Sequence, residues 1–266
     1  MSLSHPSTYI ISDVHGCYDQ FMALLSKVEF DSDKDELIIA GDIVDRGRQN
    51  YEMLRYFESS PRSVTFLMGN HDCRFMEYCN GLIKLCKDKG FTDLNDALCS
   101  RFYGYYLYDS YDTVRNLINE HDDLSIDDFL NWSQKISKLL YSTERSINGE
   151  RYIVVHAGYI NTYDFDRYKS EGGHLNNIEF QLWAREEGVI YGGADQATIV
   201  FGHTPTINRS TGFYTGGRVW LHSSGKSRRF INIDCGLVYR VMHPLSFAKG
   251  NLACLRLEDE RAIYLY

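Results

Sequence analysis

An α/β fold is predicted for this chain by three observations. Between Tyr9 and Met68, short apolar runs of strand length alternate with stretches of helical period. Each run ends in a polar, glycine-containing motif. The composition, 44% apolar and 24% charged over 266 residues, is that of a chain able to bury a core.

Tyr9–Ser12 reads as a buried strand, and Phe21, Leu24, Leu25 and Val28 then recur on one helical face. Leu37–Ala40 is a second strand, Tyr51–Phe57 a helical stretch and Val64–Met68 a third strand. Such β-α-β-α-β alternation makes a sheet covered by helices, with sites at the carboxyl ends of its strands. Phe75–Cys86, Tyr111–Asn119 and Ile126–Leu140 then read as helices, with Ser125 an N-cap. No linker flanks residues 73–140, so they are expected to be a helical insertion within one domain spanning 1–266. Strands resume at Tyr152–Val155 and Thr198–Phe201. Val219–Leu221, Phe230–Ile233, Leu252–Leu257 and Ala262–Leu265 alternate with turns, which predicts a mostly antiparallel closing sheet.

Charge and cysteine usage narrow the function classes. The formal net charge is −8 and the pI about 5.6, against a general nucleic-acid or anionic-membrane binder. No apolar run reaches bilayer length, and the N-terminus lacks a basic segment leading into an apolar one. The 7 cysteines include no CxxC pair, so reduced thiols and a cytoplasmic location are expected. The acidic total also poses a problem: an anionic substrate would be repelled unless the site itself is cationic.

Five motifs carry the chemistry. They are Asp13-Val14-His15-Gly16, Gly41-Asp42-Ile43-Val44-Asp45-Arg46-Gly47, Gly69-Asn70-His71-Asp72, His156-Ala157-Gly158 and Gly202-His203-Thr204-Pro205. Asp, His and Asn side chains converging from strand ends can hold two divalent ions side by side, as a phosphoester-cleaving centre requires. Mixed nitrogen and oxygen donors without thiolate suit Mn, Fe or Zn better than Ca. A carboxylate at Asp42 is the natural bridge between two cations.

This ordered set resembles the calcineurin-like metallophosphoesterases, over residues 9–236. More narrowly, it is similar to the bacterial branch of the serine/threonine phosphoprotein phosphatases. The resemblance implies an αββα sandwich of two mixed sheets flanked by helices. It implies that Asp13, His15 and Asp42 hold one metal, and Asp42, Asn70, His156 and His203 the other, with Mn foremost and Fe, Zn or Mg as other occupants. It makes His71 the general acid, Asp45 the carboxylate that orients it towards the imidazolium, and Arg46 a phosphate clamp. In Leu182-Trp183-Ala184-Arg185 it makes Arg185 a second clamp. Asp72 departs from the pattern, since the protein phosphatases have Glu there.

The activity implied is phosphomonoester hydrolysis by in-line attack of a metal-activated hydroxide. A phosphorylated protein is the leading substrate. Hydrolysis of dinucleoside polyphosphates is the alternative, and a catalytically inactive phosphate-binding module is a more remote one. The insertion is expected to decide between the substrates, and oligomeric state is left open.

Other features admit two readings each. Tyr103, Tyr105, Tyr106, Tyr108 and Tyr111 either pack the insertion or form an aromatic lip. Lys226-Ser227-Arg228-Arg229 is either a solvated hairpin or an anion attractant, and Cys17 and Cys73 are either buried small side chains or redox-sensitive thiols. His121, His174, His222 and His243 are expected to be structural. Asp234 is expected to support the site or the fold without touching substrate.

Overall fold

The computed structural model describes residues 6–92, 94–99, 109–224 and 228–266. Two five-stranded mixed sheets stack face to face with helices outside, as expected. The strands are β1 Thr8–Ile11, β2 Glu36–Ile39, β3 Val64–Phe66, β4 Ser142–Ile147, β5 Glu150–Val155, β6 Ala197–Phe201, β7 Trp220–Ser224, β8 Arg228–Asn232, β9 Ala253–Arg256 and β10 Arg261–Tyr264. The first sheet runs β10-β9-β1-β2-β3 and the second β4-β5-β6-β8-β7.

Continuous apolar strands follow from burial on both faces. Along β1, Tyr9 and Ile11 face a helix-covered core that includes Phe21 and Leu24. The intervening Ile10 meets Val154, Val200 and Ile231 of the other sheet. In the second sheet Ile153, Val155, Ile199 and Phe201 turn outward to a third apolar cluster. Each such side chain, removed from water, contributes about 1.5–3 kcal/mol to stability.

Helices α1 Tyr18–Lys27 and α2 Asn50–Ser59 join the first three strands, which pair in parallel. The long α3 Asn70–Lys89 follows β3, and α4 Leu94–Cys99, α5 Asp109–Glu120 and α6 Ile126–Ile136 fill the predicted insertion. Tyr78, Leu82, Val114 and Trp132 bury into the same core as α1 and α2. Beyond it lie α7 Thr162–Ser170, α8 Asn177–Trp183, α9 Glu187–Ile190 and α10 Leu237–Met242.

Two expectations are corrected, and one strand is added. The last four strands do not form one closing sheet. β7 and β8 extend the second sheet, with β8 parallel to β6, whereas β9 and β10 join the first. The helix expected to reach Leu140 ends at Ile136, and the backbone of Leu140 accepts from Met68 at the sheet edge. The added strand is β4, which the left-handed two-residue turn at Asn148 (φ 52°) and Gly149 (φ 84°) pairs with β5. Tyr103, Tyr105, Tyr106, Tyr108, Lys226 and Ser227 lie outside the described residues.

Candidate active site

Five strand ends from both sheets converge. Asp13 and His15 follow β1; Asp42, Asp45 and Arg46 follow β2; Asn70 and His71 open α3 after β3; His156 follows β5 and His203 follows β6. Asp13, His15, Asp42, Asn70, His71, His156 and His203 are all buried. The loops are held tightly. A Cβ on Gly202 would stand 2.1 Å from Asp13 Oδ2, and one on Gly69 2.2 Å from the Asp42 nitrogen.

Backbone strain concentrates at these motifs. Asp13 (52°), His15 (48°), Asp42 (55°), Asp45 (72°), Arg46 (67°) and His203 (66°) all have positive φ. Each such residue costs about 1–3 kcal/mol, a burden that persists where surrounding structure dictates the geometry and that clusters at functional sites. Asp72 supplies part of that insistence. Its buried carboxylate accepts the N–H groups of Asp42 (2.8 Å), Ile43 (3.0 Å) and Gly69 (3.0 Å), so it caps α3 and pins the Asp42 loop to it. Burial, with Asp42 adding repulsion, pushes the Asp72 carboxyl up to about 7 against the pull of those N–H donors.

Asp42 is central. Its Oδ2 lies 3.6 Å from His15 Nε2 and 3.5 Å from His156 Nε2, and its Oδ1 accepts from the His71 backbone at 2.9 Å. Among the described residues, ligand atoms of His15, Asp42 and His71 form one group within 4.8 Å, and those of Asp42, His156 and His203 form another. Asp42 belongs to both. Asp13 stands beside them, its oxygens accepting the His203 backbone N–H at 3.0 and 3.2 Å, and burial lifts its carboxyl to about 6.

The donor set suits cations. His156 Nδ1 faces the Ala40 carbonyl at 2.9 Å, so it carries the proton, and the Nε2 lone pair then faces Asn70 Oδ1 at 2.8 Å and Asp42 Oδ2. Acceptors converge there without a proton to share, the arrangement that a positive ion resolves. His203 Nδ1 reaches Asn70 Oδ1 at 2.8 Å, and its buried Nε2 has no hydrogen-bond partner. Burial, with the Arg185 charge adding to it, holds the His203 imidazole neutral, the form in which a histidine ligates a metal. His15 is likewise held neutral, by burial and then by Arg46, with Nδ1 donating to Val44 O at 2.9 Å.

Asp45 is fully buried, and among the described residues three side-chain donors reach it. His71 Nδ1 lies at 2.8 Å from Oδ2, Ser110 Oγ at 2.7 Å from Oδ2 and Thr113 Oγ1 at 2.7 Å from Oδ1. Asn50 Oδ1 accepts the Asp45 backbone N–H at 2.8 Å. Burial alone would depress the His71 imidazole, but Asp42 and the Asp45 hydrogen bond outweigh it and raise His71 above its ordinary value. Arg46 pulls the other way, because its guanidinium donates to His71 Nε2 at 2.8 Å and to His15 Nε2 at 3.0 Å. In this arrangement Nε2 of His71 is an acceptor, so the imidazolium expected from the sequence requires Arg46 to turn to another partner.

A cavity of about 320 Å³ opens over these groups. Arg46, Arg74 and Arg185 line it together with Trp183 and Tyr239. Arg185 follows α8 and reaches Thr204 Oγ1 at 3.3 Å, so the sequence-predicted pair of arginines shares one cavity. Arg74 was not anticipated; it stacks over Trp183 at 4.3 Å. Its position one turn beyond His71 on α3 was the available signal. Ser110 and Thr113 were also missed, and nothing in their local sequence marks them.

Arg228 pairs with Asp164 and Asp195, each at 3.0 Å, and Arg229 with Glu260 at 2.8 Å, so neither is spent on substrate. Burial pushes the Cys17 thiol up to about 12 and that of Cys73 to about 11, the reverse of a reactive thiol. Tyr111 packs against Tyr78, and His121 stacks on Tyr51 at 3.9 Å. Asp234 is buried and accepts the Gly236 N–H, while Asn232 ties its strand end to Thr204.

A family model described as calcineurin-like phosphoesterase matches residues 6–234. A symmetrical bis(5'-nucleosyl)-tetraphosphatase of Klebsiella pneumoniae (strain 342) is 32% identical over 160 residues, 60% of this chain and 46% of that protein. One from Salmonella paratyphi C (strain RKS4594) is 32% identical over 163 residues, 61% of this chain and 47% of that protein. The chain thus matches about half the length of these curated relatives. Among solved structures, a metallophosphoesterase from Sphaerobacter thermophilus has a TM-score of 0.52 at 16% identity, covering 98% of this chain and 87% of that one. A protein serine/threonine phosphatase from Saccharomyces cerevisiae has a TM-score of 0.55 at 14% identity, covering 99% and 80%. At such identities the structural likeness speaks for the fold alone.

Proposed function

Since the chain belongs to the calcineurin-like phosphoesterase family, we propose that its cavity hydrolyses the phosphoanhydride chain of a dinucleoside polyphosphate. The observation that carries this reading is the set of guanidinium groups of Arg46, Arg74 and Arg185 around one small cavity beside the Asp42 cluster. A single phosphoryl group is clamped by two arginines; a third suits the extra charge of a polyphosphate. The symmetrical tetraphosphatases to which the chain is similar support the same substrate class. The ranking drawn from the motifs alone, with phosphoprotein first, is thereby reversed.

The chain's own groups divide the work. Asp13, His15 and Asp42 would hold one divalent ion, and Asp42, Asn70, His156 and His203 the other; bound there, the ions would supply Lewis-acid charge at phosphorus and lower the pKa of the attacking water. The arginines bind and orient the phosphate oxygens, and their fixed positive field is complementary to charge that grows as the phosphoryl group transfers. A phosphate oxygen is a better acceptor than an imidazole, so a bound substrate draws Arg46 off His71 Nε2. His71 then takes up a proton, with Asp45 stabilising the imidazolium, and can deliver it to the leaving oxygen. Attack of water on phosphorus and cleavage of the bridging P–O bond, in the symmetrical mode, turn one dinucleoside tetraphosphate and one water into two nucleoside diphosphates.

A phosphoprotein substrate remains the second reading on one specific observation. The His71–Asp45 pair is an acid suited to protonating a strongly basic alkoxide, which a phosphoanhydride does not release. The inactive-module reading needs a lost ligand, acid or clamp, and none is lacking in type. Comparing kcat/KM on diadenosine tetraphosphate and on a phosphoserine peptide, with Mn²⁺, separates the two enzymes. The proposal expects the dinucleotide to lead by tenfold or more, and a peptide that leads by that margin defeats it.

A further inference from the structure

The catalytic cavity does not end at its arginines. A second, larger cavity of about 620 Å³ adjoins it, and the two share Pro205, Asn208 and Tyr239 as a common wall. Tyr239 is the physical link: the Arg46 guanidinium carbon lies 5.8 Å from its ring centroid, and Phe247 packs against it at 5.5 Å. The same cleft is lined by Tyr214, with Arg209 over its ring at 5.7 Å, and by Lys249. Among the described residues lining this cleft there is no Asp or Glu, in a chain whose net charge is −8.

We propose that this cleft is the nucleoside subsite, in which a base stacks between Tyr214 and Phe247 while Arg209 and Lys249 hold the phosphates running back to the catalytic cavity. The proposal rests on the nucleotide reading of the active site and deepens it. Its occupant is fixed by chemistry: flat aromatic walls accept the face of any base, and two cations beside them suit an anion attached to that base. Exposure fits the same purpose. Tyr214 is 41% exposed and Leu245, on the lip, is 99% exposed, so neither is needed to fill a core.

The test uses the Mn²⁺-loaded full chain and two probes that differ only in the base. Adenosine monophosphate and ribose 5-phosphate are titrated as competitive inhibitors of p-nitrophenyl phosphate turnover. Base stacking predicts that the nucleotide binds roughly tenfold or more tighter. Tyr214→Ala and Phe247→Ala should erase that preference, and Tyr214→Phe should keep it. On diadenosine tetraphosphate, the loss of kcat/KM in Tyr214→Ala should exceed its loss on p-nitrophenyl phosphate by roughly tenfold, expressed mainly in KM.

Equal inhibition by the two probes in the wild-type protein overturns the subsite, as does a Tyr214→Ala protein that keeps the full preference. A larger loss on a phosphoserine peptide than on the dinucleotide would assign the cleft to peptide and also overturn it. If the wild type fails to hydrolyse the dinucleotide yet keeps a Tyr214-dependent preference for the nucleotide, the subsite stands and only the polyphosphate reading falls.

Discussion

Thr113→Val isolates the contribution of the helical insertion to catalysis. The Thr113 hydroxyl donates to Asp45 Oδ1 at 2.7 Å, and Asp45 is 0% exposed, so no water can replace the lost donor. Valine keeps the shape and removes only the O–H. A hydrogen bond to a buried charge is worth about 1.5–3 kcal/mol, so we expect a loss near 2 kcal/mol. At about 2–4 °C per kcal/mol for a chain of this size, Tm falls by about 4–8 °C. Asp45 also carries His71 at 2.8 Å, so activity should fall as well, and fall most for substrates whose leaving oxygen is strongly basic. Thermal unfolding of the Mn²⁺-loaded protein gives the first quantity; kcat on a phosphoserine peptide and on p-nitrophenyl phosphate gives the second. Thr113→Ser should recover both. A Val variant with unchanged Tm and unchanged kcat on both substrates would show that α5 does not hold Asp45, and the link drawn from insertion to acid would be wrong.

Other outcomes follow from the same geometry. His71→Asn should cost about 10²–10⁴ in kcat on a phosphoserine peptide, the usual worth of a general acid. It should cost far less on a phosphoanhydride, whose leaving phosphate has a pKa of about 6; equal losses across both substrates, measured by steady-state kinetics, would remove the acid role. Gly202→Ala puts a Cβ 2.1 Å from Asp13 Oδ2, so calorimetric titration with Mn²⁺ should show at least one weakened ion, against a wild-type-like titration if the loops can give way. Arg74→Ala should raise KM for diadenosine tetraphosphate by about tenfold, one charge-assisted contact, with less effect on p-nitrophenyl phosphate. Parallel changes on both would assign Arg74 to the stacking with Trp183 alone.

Much of the site was readable because its residue types are improbable neighbours. Aspartates and histidines beside glycines at successive strand ends have few purposes besides holding cations, and the structure brings Asp42, His15, His156 and His203 to one place. The inner strands were readable for a different reason: Ile10, Ile38, Val154 and Val200 are buried between sheets, so their runs are apolar throughout. The edge strand β4 was not, because Ser142–Ile147 is mostly polar with only partial burial, leaving the Asn-Gly turn as its signal. The support of Asp45 was also illegible. Ser110 and Thr113 lie 65 and 68 residues further along the chain, and no short-range pattern tells which loop a helix will meet. The same holds for the nucleoside cleft, assembled from the loop after β6, Tyr239 of α10 and the segment that follows it.

The most direct test of the whole account is product analysis in ¹⁸O-labelled water. Mn²⁺-loaded protein is given diadenosine tetraphosphate, and the products are resolved by ³¹P nuclear magnetic resonance and mass spectrometry. Two molecules of adenosine diphosphate per substrate are expected, with one ¹⁸O between them and bonded to phosphorus, and turnover is expected to be abolished by chelation and restored by metal. Cleavage into adenosine triphosphate and monophosphate, or turnover that survives chelation, would contradict it.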